Sequence, residues 1–204
     1  MFYNKKITLF LVTIAAFLFA TQMLMAQAPA RMVKWVVEKN STLRVEGKSN
    51  VNSFTCNIVE YTKKDTIHFI GDPDKPVRLK GNLQMDVMSF DCHSNLITKD
   101  LRKTLKAKEY PKMIIRFISL NCTPQFQNKA EFIKGWIEVE LAGVVKTFEI
   151  CYKFSVETPG YVQLNGARSF CFSDFKLSPP KKLAGIVKIK DAFDVNFQLV
   201  LRAI

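Results

Sequence analysis

No C-x-x-C pair occurs in this chain of 204 residues, and there are only two histidines, His68 and His93. Structural zinc sites draw on such pairs and on histidine, so metal binding is a poor fit. A Ser-His-Asp signature, a G-x-S-x-G elbow, a phosphate loop and an H-E-x-x-H motif are all missing. Acids are scarce, with 18 Asp and Glu against 30 Lys and Arg, and none pairs as general acid–base work requires. These absences point away from catalytic residues, metals and resident cofactors. There is no repeat at solenoid periods, no low-complexity tract, and no Gly/Ser-rich or Pro-rich linker, so one domain is the simplest organisation.

The shortage of acid leaves a formal charge of +12. Such a surface suits anionic partners: a phosphate-bearing lipid, an anionic membrane face or nucleic acid. It is equally the surface of a generically basic exported protein. The first residues set the compartment. Lys5 and Lys6 precede an uncharged apolar run over 7–20, and Ala26-Gln27-Ala28 supplies small residues at cleavage spacing. This is the three-part pattern of a secretory signal peptide over 1–26, leaving 27–204 as the mature domain, periplasmic or secreted. A permanent anchor is the competing reading, since a bilayer needs about 20 apolar residues; the short apolar core and the small-residue exit favour removal. No cysteine follows the cut to take a lipid anchor. Export weighs against nucleic acid, and no exposed aromatic–basic interleaving is evident.

All five cysteines (Cys56, Cys92, Cys122, Cys151 and Cys171) follow the signal. An oxidising compartment favours pairing, and the odd count leaves at least one over. Phe54-Thr-Cys56 and Phe90-Asp-Cys92 each set a cysteine after an aromatic at a strand end, which makes Cys56–Cys92 the preferred bridge. Asp91-Cys92-His93 invites a nucleophile reading, but neighbours in an extended chain point to opposite faces, which argues against a dyad.

Period-two alternation dominates. Leu79, Gly81, Leu83, Met85 and Val87 alternate with polar residues, as do Ile133 to Leu141, Phe148 to Val156, and Phe193 to Leu201. Further strands are expected over 35–38, 42–51, 65–70, 113–120 and 162–172. Turns are expected at Gly71-Asp72-Pro73, Leu141-Ala142-Gly143, Pro159-Gly160 and Asn165-Gly166. One helix is expected over 95–106, capped by Ser94 or Asn95, with Ile97, Leu101 and Leu105 forming one apolar stripe and Pro111 barring continuation. A second helical turn is expected over 181–184. About nine strands with one inserted helix favour an all-β antiparallel barrel, which hides every apolar face without leaving an edge.

The order of several segments then resembles the YceI-like family. Trp35-Val-Val-Glu-Lys-Asn-Ser-Thr-Leu-Arg-Val-Glu-Gly-Lys-Ser-Asn-Val-Asn-Ser-Phe is similar to its opening strand pair. The stretch beginning Asn95-Leu-Ile and closing Glu109-Tyr110-Pro111 is similar to its helix, which ends L-x-x-x-x-[YF]-P before a central strand, here Met113-Ile-Ile-Arg-Phe. Gly135-Trp-Ile-Glu-Val-Glu-Leu-Ala-Gly-Val-Val-Lys resembles its G-x-L-x-[IL]-x-G-x-x-[KR] hairpin, and Ser173-Asp-Phe-Lys-Leu-Ser-Pro-Pro a late loop of its relatives. The resemblance spans nearly the whole mature chain. It implies an extended lipocalin-like antiparallel barrel with one short inserted helix, binding a polyisoprenoid lipid inside.

The inner strand faces are the candidate ligand wall: Leu83, Met85, Val87, Ile115, Phe117, Ile137, Val139, Phe148, Ile150, Phe170, Phe172 and Phe197. An isoprenoid tail has no polar group, so the wall needs only shape and apolar surface, worth about 25 cal/mol per Å² buried. Plain core is the competing reading for each residue, because small barrels are either packed or hollow. Lys99, Arg102 and Lys103 on the helix are candidate head-group contacts, with a solvated helix face as the alternative. Two functional readings follow: an exported, non-enzymatic carrier of an apolar lipid that also meets a membrane surface, or a non-enzymatic interaction module with a filled core and a basic partner-binding surface.

Overall fold

The structure is a computed structural model and describes residues 31–58, 61–71, 76–126, 129–182 and 186–204. The expected signal peptide lies outside the described residues. In chain order the elements are β1 (Arg31–Val37), β2 (Thr42–Ser49), β3 (Ser53–Ile58), β4 (Thr66–Gly71), β5 (Val77–Asp86), helix α1 (Asn95–Thr104), β6 (Lys112–Leu120), β7 (Glu131–Leu141), β8 (Val144–Thr158), β9 (Tyr161–Cys171), the two-residue β10 (Lys181–Lys182) and β11 (Val187–Ala203). Single 3-10 turns follow β5 (Val87–Ser89) and β9 (Phe172–Phe175). Every pairing is antiparallel.

Strand β11 closes the sheet into a barrel. One side of it pairs with β9 along Ala192 to Arg202; the other pairs with β2 over Ile189 to Gln198 and then with β1 over Leu201 to Ala203. The closed path β1-β4-β5-β6-β7-β8-β9-β11 has eight strands, and the β2–β3 hairpin extends the wall beyond β1. Alternation explains why this closure is stable. Ile133, Ile137, Val139 and Leu141 of β7 are buried, while Lys134 and Trp136 face water. On the outer face Arg116 of β6 bridges Glu138 and Glu140 of β7, the former at 2.8 Å. The β7–β8 turn carries positive φ at both Ala142 (51°) and Gly143 (77°), the backbone twist that suits a two-residue hairpin.

Four local expectations fail for identifiable reasons. Asn165-Gly166 is not a turn: it lies within β9, where a Cβ on Gly166 would stand 2.2 Å from the Phe197 ring. The glycine makes room for an aromatic rather than a bend. Residues 181–182 pair with Lys188 and Val187 as a short strand instead of opening a helical turn. Val87 belongs to a 3-10 turn rather than to the strand before it. Ser94 occupies the N-cap position without a side-chain bond; Thr98 ties the helix start instead, its Oγ1 accepting from the Cys92 N–H at 3.0 Å.

The interior is unevenly filled. Trp35, Phe69 and Phe154 surround Phe126, with ring centroids 5.1, 6.3 and 6.1 Å from it. Tyr152, Leu120 and Leu201 are buried in the same core. This aromatic plug fills the barrel on the β1 side. The part beneath α1 is hollow.

Candidate functional site

The hollow is walled by inward side chains of eight elements: β2, β3, β5, β6, β7, β8, β9 and β11, with Leu101 of α1 and the C-cap residue Leu105 across its end. The wall is almost entirely carbon. The cavity measures about 90 Å³, roughly three times the share of volume that one water takes in the liquid. Of the twelve residues expected to face the interior cavity, Leu83, Met85, Ile115, Phe117, Ile137, Val139, Ile150, Phe170, Phe172 and Phe197 stand in this wall. Val87 is fully buried but outside it. Phe148 is buried one layer back, edge-on to Phe170 at 4.8 Å and tilted against Phe175 at 5.9 Å.

Sequence reasoning omitted Leu43, Val45, Phe193, Val195 and Leu199 of β2 and β11, and with them Ile58, Tyr61, Met113 and Leu141 among others. It also omitted Arg168, the one Lys or Arg among the lining residues. Parity was the available signal: Arg168 shares its face of β9 with Leu164, Gly166 and Phe170. Its guanidinium lies 5.0 Å above the Phe148 ring and 5.7 Å above the Phe170 ring. Nη1 donates to the Glu149 carbonyl at 2.7 Å, while Nε is buried without a partner among the described residues.

The expected head-group cations stand elsewhere. Lys99 and Lys103 are exposed on α1. Arg102 donates through Nη2 to the Met88 and Phe90 carbonyls, at 2.6 and 3.0 Å, and so pins the helix to the 3-10 turn. Beside the helix runs a second groove of about 230 Å³, lined by Val51, Phe54, Leu96, Ile97, Val187 and Ile189 among others. Leu101 and Phe172 belong to both walls, so these two side chains stand between groove and lumen.

Cys56 and Cys92 are joined by a disulfide. The bond takes up the Cys92 sulfur, so no Cys92–His93 dyad exists; His93 Nε2 stands 3.0 Å from Asn57 Nδ2 instead. Cys122 and Cys151 are exposed free thiols, and Cys171 is half-buried. Tyr61 lines the lumen with its hydroxyl turned outward to Asp65, where it also accepts from the Gln84 N–H at 3.2 Å. Burial, then the hydrogen bond to Asp65, pushes that phenol well above its ordinary value of 10.0.

A closed antiparallel barrel with a carbon-lined lumen under one helix is the arrangement to compare with known proteins. The YceI-like domain family model matches residues 35–201. The chain belongs to the YceI-like family. Solved structures agree on the fold. A polyisoprenoid-binding domain from Saccharophagus degradans, implicated in plant cell wall breakdown, is 12% identical and superposes with a TM-score of 0.60, covering 83% of this chain and 98% of that one. BcnA of Burkholderia cenocepacia is 19% identical, with a TM-score of 0.56 over 78% of this chain and 95% of that one. The Campylobacter jejuni YceI protein is 18% identical, with a TM-score of 0.51 over 75% and 82%. No protein of curated function matches the sequence.

Proposed function

We propose that this protein is an exported, non-enzymatic carrier that holds a long apolar lipid of polyisoprenoid type in its lumen, for sequestration or transport in the periplasm or outside the cell. The observation that carries this reading is the carbon-lined hollow left between the aromatic plug and α1 in an otherwise packed barrel. A tail of methyl-branched hydrocarbon gains about 0.8 kcal/mol for each CH₂ withdrawn from water and asks for no polar partner. The hollow is slim, so a long chain enters by re-shaping its wall. Met85 and Met113 supply flexible thioethers there, and Phe193 and Phe197 are only partly buried. Family membership and the fold shared with a polyisoprenoid-binding domain support the ligand class. Exchange with a membrane surface would use the groove beside α1, where Val51 and Leu96 are 64 and 63% exposed.

Titration with farnesol, geranylgeraniol and solanesol, read by displacement of an environment-sensitive fluorescent fatty acid, tests the proposal. Affinity should rise with each added isoprene unit until the lumen is full. Equal, weak responses across the series would favour the filled-core interaction module instead.

A further inference from the structure

We propose that the outer face of β7 and β8 is an interface between two copies of this chain, closed by a disulfide between their Cys151 residues. The inference goes beyond the carrier reading and takes from it only the oxidising surroundings.

Cys151 has no partner within reach in its own chain. Cys56 and Cys92 are already joined, and the other free thiols are Cys122 and Cys171. Cys151 pairs with Lys134 on β7 and with Ala167 on β9. Asn121 lies on the far side of β7, its N–H donating to the Lys134 carbonyl, so Cys122 stands about two strand spacings from Cys151, roughly 10 Å. Cys171 is four residues beyond Ala167 along β9, roughly 13 Å further on. A disulfide needs Cα atoms within about 7 Å of each other. Oxidation of Cys151 to a disulfide therefore takes a thiol from another molecule.

The surroundings of Cys151 are complementary to a second copy of themselves. Parity turns Phe132, Lys134 and Trp136 of β7 outward, together with Glu149, Cys151 and Lys153 of β8. Phe132 and Trp136 are 71 and 42% exposed, although both are large and apolar. Lys134 and Cys151 form one row across the strands. Phe132 and Lys153 stand level with each other on one side of it, Trp136 and Glu149 on the other. A two-fold axis along this row makes a self-complementary contact. It reverses the strands of the second copy, so Cys151 faces Cys151, Lys153 faces Glu149, and Phe132 faces Trp136. Lys134 faces its own counterpart, but Glu149 of the same chain bridges it at 3.6 Å. Ala167, the neighbour of Cys151 on β9, is small enough to let the two faces approach at the bond.

Four aromatic side chains, two from each copy, bury about 600–1,000 Å² at most, the lower edge of what a specific interface needs. Contact alone is therefore weak, and the covalent bond makes it lasting. The step is thiol–disulfide exchange: two Cys151 thiols give up two protons and two electrons and form one S–S bond, while a disulfide oxidant is reduced to two thiols.

The experiment incubates the mature protein in oxidised and reduced glutathione and follows non-reducing electrophoresis and sedimentation. This needs no export. The wild type and Cys122→Ser should form a dimer that dithiothreitol returns to monomer, and Cys151→Ser should stay monomeric. Glu149→Lys should lower the dimer formed by about twofold to thirtyfold, the range for two exposed ion pairs. Adding Lys153→Glu to it should restore the dimer to near the wild-type level, because the charges then pair in the opposite sense. None of these side chains lines the lumen or the groove, and an unchanged thermal midpoint shows each variant folded. A wild type that stays monomeric, with Cys151 free or capped by glutathione, would overturn the proposal. So would a dimer that persists in Cys151→Ser, or a charge exchange that restores nothing.

Discussion

Reduction of the Cys56–Cys92 bond should loosen the ligand end of the barrel before the rest. The bond joins β3 to the segment leading into α1, across a separation of 36 residues. Loop-closure entropy for that length amounts to about 4 kcal/mol. The non-covalent links at the same place are weaker. Asn57 and Asp91 exchange two backbone hydrogen bonds of 2.7 and 3.0 Å, and Cys92 donates to Thr98. At about 1 kcal/mol each, these three supply less than the disulfide alone. The clean comparison starts from a background with Cys122, Cys151 and Cys171 changed to Ser, so that nothing reshuffles, and adds Cys56→Ala with Cys92→Ala. Guanidinium and thermal unfolding should show a loss of about 3–4 kcal/mol, or roughly 6–16 °C in Tm for a domain of this size. Hydrogen exchange should quicken first in α1 and β3. A Tm shift below about 2 °C, or uniform quickening that includes the plug, would refute the reasoning, because the covalent link would then not be what holds the helix end.

Other consequences follow from the same structure. Val139→Phe, which places a ring in the lumen, should cost at most about 1–3 kcal/mol, since empty space lies beside it, and should abolish lipid uptake measured by displacement. Phe154→Ala in the plug should cost about 3–5 kcal/mol in chemical denaturation while the folded variant still takes up isoprenoid in the displacement assay. Tyr152 is fully buried with an unpartnered hydroxyl, and burial pushes its ionisation far above the ordinary 10.0. Its raised native value means the stabilisation is fully present below about pH 10 and declines above it, by up to about 1.4 kcal/mol per pH unit, as only the unfolded chain ionises. Tyr152→Phe should therefore flatten the alkaline loss seen in pH-dependent denaturation, and should be neutral or stabilising at pH 7.

The parts of this fold legible in the sequence are those where one face meets water and the other does not. Ile133 to Leu141 and Phe148 to Val156 alternate cleanly because β7 and β8 separate solvent from interior over their whole lengths. The stripe of Leu101 and Leu105 was readable for the same reason on a helical period. The β3 strand, Ser-Phe-Thr-Cys-Asn-Ile, alternates too, with Cys56 and Ile58 buried, but over six residues the pattern is too short to stand out from the turn before it. Asn165-Gly166 read as a turn because the local signal for a bend and for a gap beside a ring is the same residue; only the partner, Phe197, distinguishes them, and it lies on β11. Ten of the twelve residues picked by inward parity stand in the lumen wall, but the division of the barrel into plug and hollow was not legible. That division depends on Phe126, which comes from a loop and inserts into the core with a left-handed φ of 50°. Arg168 was passed over because a charged residue in a strand reads as outward, although its parity was inward.

The measurement that most directly tests the carrier account is native mass spectrometry of the mature, oxidised protein purified gently after export, followed by organic extraction and identification of whatever is released. The account predicts a stoichiometric adduct that extracts as a long isoprenoid and that is lost in the lumen-filling Val139→Phe variant. A clean unliganded mass, together with failure to take up added polyprenyl lipids, would contradict it.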